Sequence, residues 1–366
     1  MSLNGDTDLA GTDGASNDTD VAGTDTDVGD TDGARWFMPA EDGPHTRCWM
    51  AFPARADVWG RQLDKVRAAI ARVANAIVDF EPVVICVQPG QESIARALLA
   101  GSVEILTLPV DDFWMRDTGP CFITDGRGGL AGVDLGFNGW GMDQVHGRDA
   151  LVATGVLDHL GLRRVRADMV SEGGAIELDG DGTAMLTESS VIDPRRNPGK
   201  TKADIEAALR VLGVRKTLWV PGVQGRDITD DHIDTTARFV APGRIVVELP
   251  KVPDPTYVWD KAALEAQRIL GAAKDARGRR LEVTIVRQPE TWRSNAAAFV
   301  PSYLNWYVAN GAVITAQFGD VAADAAAREL IGPLFPGRVV VQVEIDAIAA
   351  GGGGIHCSTQ QEPKVG

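Results

Sequence analysis

From Arg35 onward, short apolar runs alternate with glycine turns, and the alternation recurs four times. Each time an apolar run meets a Gly-containing turn and a second apolar run follows, the signature of a β-hairpin. The four lie at 121–130, 175–184, 239–247 and 306–314. Their turn glycines, Gly126, Gly180, Gly243 and Gly311, are 54, 63 and 68 residues apart. After each pair comes a stretch predicted to be helical, at 143–160, 201–212, 257–275 and 320–332. A short β-branched run follows, as at 281–286 and 338–343. Residues 45–108 supply a weaker fifth unit, with a strand at 48–53, a helix near 61–79 and a strand at 83–87. The pattern predicts an α/β fold in which strands and one helix repeat about every 66 residues. Units of mixed type exclude all-β blades. An ordinary α/β protein with several hairpins would show the same pattern. A radial arrangement would bring loops from different units to one central site.

Charge changes the picture at one end only. The chain has 366 residues and a net charge of -15, and nine of its aspartates fall in residues 1–34, which carry no Glu, Lys or Arg. That segment repeats Gly, Thr, Asp, Ala and Val without aromatic residues, the composition of a solvated, disordered tail. The rest, 35–366, reads as one domain with a net charge of only -6. No Lys/Arg cluster is present to neutralise phosphates, so a nucleic-acid partner is not expected. No apolar run approaches the ~20 residues of a membrane span, and the N-terminus lacks a basic-then-apolar export signal. Cys48, Cys86, Cys121 and Cys357 are widely spaced, without CxxC, which argues against a disulfide framework and for a reducing cytoplasm.

Chemistry-bearing residues gather in four motifs. Cys357 follows four glycines and stands among small polar residues, in Gly351-Gly-Gly-Gly-Ile-His356-Cys357-Ser-Thr-Gln-Gln361. Glycine lets a ligand approach the backbone closely, so Cys357 is a candidate nucleophile; the bland reading is a flexible linker with an incidental Cys. His232 and Asp234, in Asp230-Asp231-His232-Ile233-Asp234, would share one face of a strand, with Asp230 joining them if the strand began early enough. The third cluster is Asp111-Asp112-Phe113-Trp114-Met115-Arg116-Asp117-Thr118-Gly119-Pro120, and the fourth is Ser171-Glu172-Gly173-Gly174. A zinc site from His232, Asp234 and Cys357 lacks the usual short pairing with a second Cys or His, and no metal is expected. A Cys nucleophile, a His acid/base and several carboxylates suit a planar cation. Two carboxylates can clamp a guanidinium, Trp114 can lie on its flat face, and a thiolate can attack its central carbon.

Taken in order, these motifs resemble those of the agmatine deiminases, the small-molecule branch of the bacterial peptidylarginine-deiminase-like proteins. The resemblance spans nearly all of 36–363. It runs through Met38-Pro-Ala-Glu41, Trp49-Met50, the 111–120 motif, Glu172-Gly-Gly174, Asn197-Pro198, His232-x-Asp234, Tyr307-x-x-Asn310-Gly311 and the Cys357 motif. It implies a five-bladed α/β-propeller (pentein) of ββαβ-type units around a pseudo-fivefold axis. It also implies hydrolysis of agmatine to N-carbamoylputrescine and ammonia through a covalent Cys thiouronium intermediate, with no cofactor. Under the resemblance Cys357 is the nucleophile, His232 the general acid/base, and Asp117 and Asp234 the guanidinium clamp. Trp114 and Glu172 are pocket residues, His356 is structural, and Asp111 and Asp112 serve either the distal amine or loop support. Homodimerisation is a family-level expectation.

The chain departs from the family pattern in places. Asp231 stands where Gly usually precedes the catalytic His, Thr235-Thr-Ala-Arg238 replaces an Asn-containing run, and Ser358 replaces a bulky aliphatic residue. Residues 52–60 also differ. None removes a group the reaction needs, but several lie where a substrate tail would be recognised. Arginine, peptidyl-arginine, another guanidine, or amidino transfer to an amine therefore stay open as alternatives. A carboxylate-bearing substrate would need a cation, for which Arg116 and Arg238 are the nearest candidates. A non-catalytic binding protein would be expected to have lost the Cys or the His.

Overall fold

The computed structural model describes residues 35–366; the acidic segment 1–34 lies outside them. The fold is mixed α/β, built from five small sheets. Strands β1 (His45–Ala51), β2 (Val83–Val87) and β3 (Glu104–Thr107) lie parallel, side by side. The next four sheets share one plan: an antiparallel pair, then a third strand parallel to the second. They comprise β4 (Cys121–Thr124), β5 (Leu130–Asp134) and β6 (Arg163–Arg166); β7 (Glu177–Leu178), β8 (Thr183–Thr187) and β9 (Lys216–Val220); β10 (Ala237–Ala241), β11 (Arg244–Leu249) and β12 (Glu282–Arg287); and β13 (Tyr307–Val308), β14 (Ala312–Gln317) and β15 (Val339–Glu344). The last strand, β16 (Thr359–Pro363), pairs antiparallel with β1.

Parallel neighbours cannot be joined by a tight turn, so each such pair needs a crossover. The helices Leu63–Ile77, Val152–Leu160, Lys202–Ala208, Val258–Ala272 and Val321–Ile331 supply the crossovers from β1 to β2, β5 to β6, β8 to β9, β11 to β12 and β14 to β15. β2 and β8 are buried at every position, which explains their unbroken apolar or small character. Among the tight hairpin turns, Gly180 sits at φ 69° with Ala40 pressed against the position of a side chain.

One local expectation differs from the structure, and one unit is completed from elsewhere. The fifth unit, 45–108, holds the expected strand, helix and strand, and its antiparallel partner is the C-terminal β16. Trp49 Nε1 donates to Glu362 Oε2 at 2.9 Å across 313 residues, a pairing no local pattern can announce. The expected helix at 143–160 becomes α-helical only at Val152, after a 3₁₀ turn at Asp149–Leu151. Its first residues form a loop whose polar groups serve other segments.

Where the sheets meet, the interior is ionic. Glu41 Oε1 accepts from Arg116 Nη1 at 3.0 Å and from His356 Nε2 at 2.8 Å. Its second oxygen accepts from Arg238, whose Nε donates to Glu177 at 2.9 Å and whose Nη1 donates to the Leu304 and Trp306 carbonyls at 3.1 Å. Arg116 and Arg238 are 1% exposed, so neither is free for a ligand outside this network. Glu41, Glu177 and His356 lie close enough together to hold a metal ion, but the two guanidiniums already meet these acids. Burial opposes the charge on Glu41, and Arg116, His356 and Arg238 outweigh it, holding the carboxyl well below its ordinary range.

Removing one partner of a buried ion pair strands the other. Arg238→Met should therefore cost about 3–5 kcal/mol of stability at neutral pH, read by urea unfolding. A loss under about 1 kcal/mol would show that the network carries no structural weight.

Candidate active site

Cys357 lies in a turn between the short helix Asp346–Ala349 and β16, and the residue is 8% exposed. Two backbone contacts fix it: Arg116 N donates to the Cys357 carbonyl at 3.1 Å, and Cys357 N donates to Asn305 Oδ1 at 3.2 Å. Sγ is 3.2 Å from Asn305 Nδ2 and 3.4 Å from Asp234 Oδ2. The preceding glycines are steric requirements. A Cβ on Gly353 would come within 2.4 Å of the Trp114 ring, and one on Gly354 within 2.5 Å of Asn305.

His232 and Asp234 are not on a strand. His232 is extended, at φ −61° and ψ 141°, and Asp234 belongs to the 3₁₀ turn Ile233–Thr235 that leads into β10. The turn still brings them together, because both pack around Gly174. A Cβ there would meet His232 Nδ1 at 2.7 Å, Asp117 Oδ1 at 3.0 Å and Asp234 Oδ2 at 3.2 Å. The same Gly174 donates its N–H to Asp117 Oδ1 at 3.1 Å. His232 Nε2 is 3.4 Å from Glu172 Oε2, and Nδ1 is 3.9 Å from Asp117 Oδ1. Asp234 Oδ2 accepts from His356 Nδ1 at 2.8 Å and from Asn305 Nδ2 at 3.0 Å. Asp230 points away from this cluster, toward Arg195, Arg196 and the Gly225 amide.

A cavity of about 970 Å³ opens onto the cluster. Cys357, Asp117, Trp114, Trp140, Asp112 and Gln144 are among its lining residues. His232, Asp234 and Glu172 are buried behind them, each at most 3% exposed. The structure separates the two neighbouring aspartates. Asp111 accepts from the Arg148 and Asp149 amides and holds a loop. Asp112 faces the cavity, held by Trp59 Nε1 at 3.0 Å and Gln144 Nε2 at 3.3 Å.

Three contributors were not assigned a part in the site from sequence. Asn305 touches both Cys357 and Asp234. Trp140 donates Nε1 to Asp117 Oδ2 at 3.0 Å. Arg196 is fully buried and pairs with Glu172 at 2.8 Å. The glycines on both sides of Trp140 were the available signal, because they mark backbone that a side chain would obstruct.

The electrostatics are unbalanced toward negative charge. Burial pushes the Cys357 thiol well above its ordinary value, and Asp234 and Asp117 push it further the same way. Burial opposes the charge on His232, but Asp117, Glu172 and Asp234 outweigh it and raise the imidazole to about 9. Asp117 is raised, mainly by burial. Asp234 is lowered because its bond to His356 and the nearby cationic groups outweigh burial. Burial lifts Asp112 to about 6. His232 Nδ1 and Asp234 Oδ1 are buried without a hydrogen-bond partner among the described residues. The arrangement can therefore take up a flat cationic group that donates several N–H bonds.

A family model described as Porphyromonas-type peptidyl-arginine deiminase matches residues 37–363. A Streptomyces coelicolor protein is 42% identical over 338 residues, covering 89% of this chain and 98% of that one. The agmatine deiminase of Pseudomonas aeruginosa is 38% identical over 353 residues, covering 89% of this chain and 95% of the relative. The solved structure of the Enterococcus faecalis agmatine deiminase superposes with a TM-score of 0.85 at 32% identity, covering 91% and 97% of the two chains.

The raised His232 value has a definite sign. A folded-state pKa above the ordinary 6.5 contributes stability that is complete below 6.5 and lost as pH rises through about 9. The stability gap between the parent and His232→Gln should thus shrink between pH 6.5 and 9.5, in urea unfolding. A gap that widens with pH would contradict the cluster's electrostatics. Because burial, with Asp234 and Asp117, holds the Cys357 thiol well above its ordinary value, its alkylation by iodoacetamide should be slow at neutral pH in the free protein; a fast reaction at pH 7 would show a thiolate already formed.

Proposed function

The chain belongs to the Porphyromonas-type peptidyl-arginine deiminase family, and from that premise we propose that it hydrolyses agmatine to N-carbamoylputrescine and ammonia. One observation carries the reading: Cys357 shares a buried cluster with Asp117, Asp234, Glu172 and His232, and among the described residues no Lys or Arg pairs with Asp117 or Asp234. Asp117 and Asp234 clamp the guanidinium, and Trp114 packs against its face. The bound cation neutralises the same carboxylates that hold the Cys357 proton, so substrate binding itself favours the thiolate. Cys357 attacks the central carbon and a C–S bond forms. The C–N bond breaks as His232 protonates the departing nitrogen, and ammonia leaves. Water, activated by His232, then adds to the thiouronium carbon. The C–S bond breaks and the ureido product is released. Glu172, anchored by Arg196, holds His232 and stabilises its charged form.

Agmatine is favoured over arginine by what surrounds the cavity. Arg116 and Arg238 are engaged in the core network. Of the three cations lining the cavity, Arg293 is paired with Asp346 and Arg72 with Glu344, which leaves the exposed Lys65 as the one without a carboxylate partner among the described residues. Asp112, a carboxylate on the cavity wall without a cationic partner among the described residues, suits the distal ammonium of agmatine, whereas Asp111 supports its loop.

We read the five sheets as the blades of a pentein propeller closed by β16 on β1, in one catalytic unit spanning 35–366. The repeated strand order and the likeness to the Enterococcus faecalis enzyme support this reading. A cytoplasmic location fits four cysteines that are all buried and free. No described helix is long and apolar enough to cross a membrane.

The test is turnover of agmatine, arginine and a peptidyl arginine, scored by ammonia and ureido product. Agmatine should be turned over, and Cys357→Ala should lose at least about 10³-fold in kcat. Full activity in Cys357→Ala would overturn the covalent route. Arginine turned over faster than agmatine would overturn the substrate assignment.

A further inference from the structure

The four non-glycine residues with positive φ among the described residues fall in just two segments, and both hold site residues in place. Trp140 and Met142, at φ 56° and 72°, alternate with Gly139 and Gly141, at 72° and 80°, so four consecutive residues form a left-handed turn. The Met142 and Asp143 amides close it on the Asn138 and Gly139 carbonyls at 3.0 Å. Left-handed backbone is costly for L-residues with a Cβ, and it persists only where the surroundings impose it. Here it delivers Trp140 Nε1 to Asp117. The second segment is Asp230–Asp231, at φ 60° and 70°, immediately before His232. Asp231 occupies the position where the family resemblance leads one to expect glycine.

One side chain reaches both. Arg195 is pinned by Asp193, which accepts from its amide at 2.7 Å and from its Nε at 3.0 Å. Its Nη1 donates to Asp143, at the end of the left-handed turn, at 2.6 Å. Its Nη2 donates to Asp230. Its carbonyl accepts from Asn138 Nδ2 at 3.1 Å, and a Cβ on Gly141 would lie 3.1 Å from Arg195 Cβ. Asp193 is itself fully buried, so the anchor is rigid.

We propose that Arg195 is a positioning residue that clamps the two strained segments together, and so sets Asp117 and His232 relative to one another across the site. The proposal rests on the deiminase reading, in which these two residues meet the same guanidinium. Arg195 touches neither substrate nor reacting atoms; it acts by holding backbone that would otherwise relax toward negative φ. A relaxation of even 1 Å at the clamp or the acid/base is enough to slow the chemistry by up to about 100-fold.

The experiment compares the parent, Arg195→Met, Arg195→Lys, Asp231→Gly and the double variant Arg195→Met/Asp231→Gly, with agmatine as substrate. Arg195→Met should lower kcat about 10- to 100-fold, and Arg195→Lys should fall between it and the parent. Asp231→Gly alone should stay within about twofold of the parent. The double variant should recover at least about tenfold over Arg195→Met, because glycine holds positive φ without a clamp. That recovery is what mere loss of a surface ion pair would not produce. Parent-like kcat in Arg195→Met would overturn the proposal, as would an impaired Arg195→Met that Asp231→Gly fails to rescue. The His232 ring resonances, followed by NMR in the same proteins, should shift in Arg195→Met and return in the double variant; unchanged resonances would likewise overturn it. If the parent turns over no agmatine, the deiminase reading falls, and the resonances alone then decide whether the clamp exists.

Discussion

The structure depends on a buried carboxylate, Glu41, that holds two guanidiniums and an imidazole at once. Its partners come from distant parts of the chain: Arg116 from the turn before β4, Arg238 from β10, and His356 from the turn before β16. The main-chain carbonyls of Leu304 and Trp306 lie buried beside these charged side chains. An apolar core could not satisfy those groups, whereas a guanidinium can serve several acceptors in one plane. Arg238 does so with two carboxylates and two carbonyls. The network therefore tightens the fold through direction-specific bonds more than through net Coulomb energy, which desolvation largely offsets.

The same network reaches the site. His356 meets Glu41 through one ring nitrogen and Asp234 through the other, each at 2.8 Å, and Asp234 in turn accepts from Asn305 and from the Cys357 thiol. Core and chemistry are thus consecutive links of one hydrogen-bonded chain. Asp234 stays ionised because the core supplies its donors. Asp117, without that support, is pushed the other way by burial. Two neighbouring carboxylates thus receive different environments, and burial together with both of them raises the Cys357 thiol.

Strain marks the same region from the backbone side. Gly174, Gly353 and Gly354 are required by close approach, since any side chain there would displace His232, Trp114 or Asn305. Trp140 and Asp231 are tolerated in a conformation that glycine would adopt more easily. Trp140 lines the cavity and Asp231 directly precedes His232, so both strained positions lie at the charged cluster. That is the arrangement expected when geometry at the site is worth more than local stability.

Much of this is legible in the order of residues alone. The hairpins and four of the five helices follow from apolar periodicity and turn glycines, which are local properties. Cys357, His232, Asp234, Asp117, Glu172, Trp114 and Asp112 can be singled out because reactive side chains stand in unusual company, beside glycines or other carboxylates. The sequence does not by itself pair β16 with β1, since register between strands so far apart in the chain is decided by long-range packing. It suggests His232 and Asp234 as strand neighbours, wrongly, because a 3₁₀ turn achieves the same convergence with a different local backbone. It does not tell Asp111 from Asp112, which differ only in the direction their side chains take. Asn305, Trp140 and Arg195 act across long sequence separations, and only packing brings them to the site. Local patterns determine elements and chemistry; which groups meet, and at what charge, is set by burial and long-range contact, and those exist only in the folded chain.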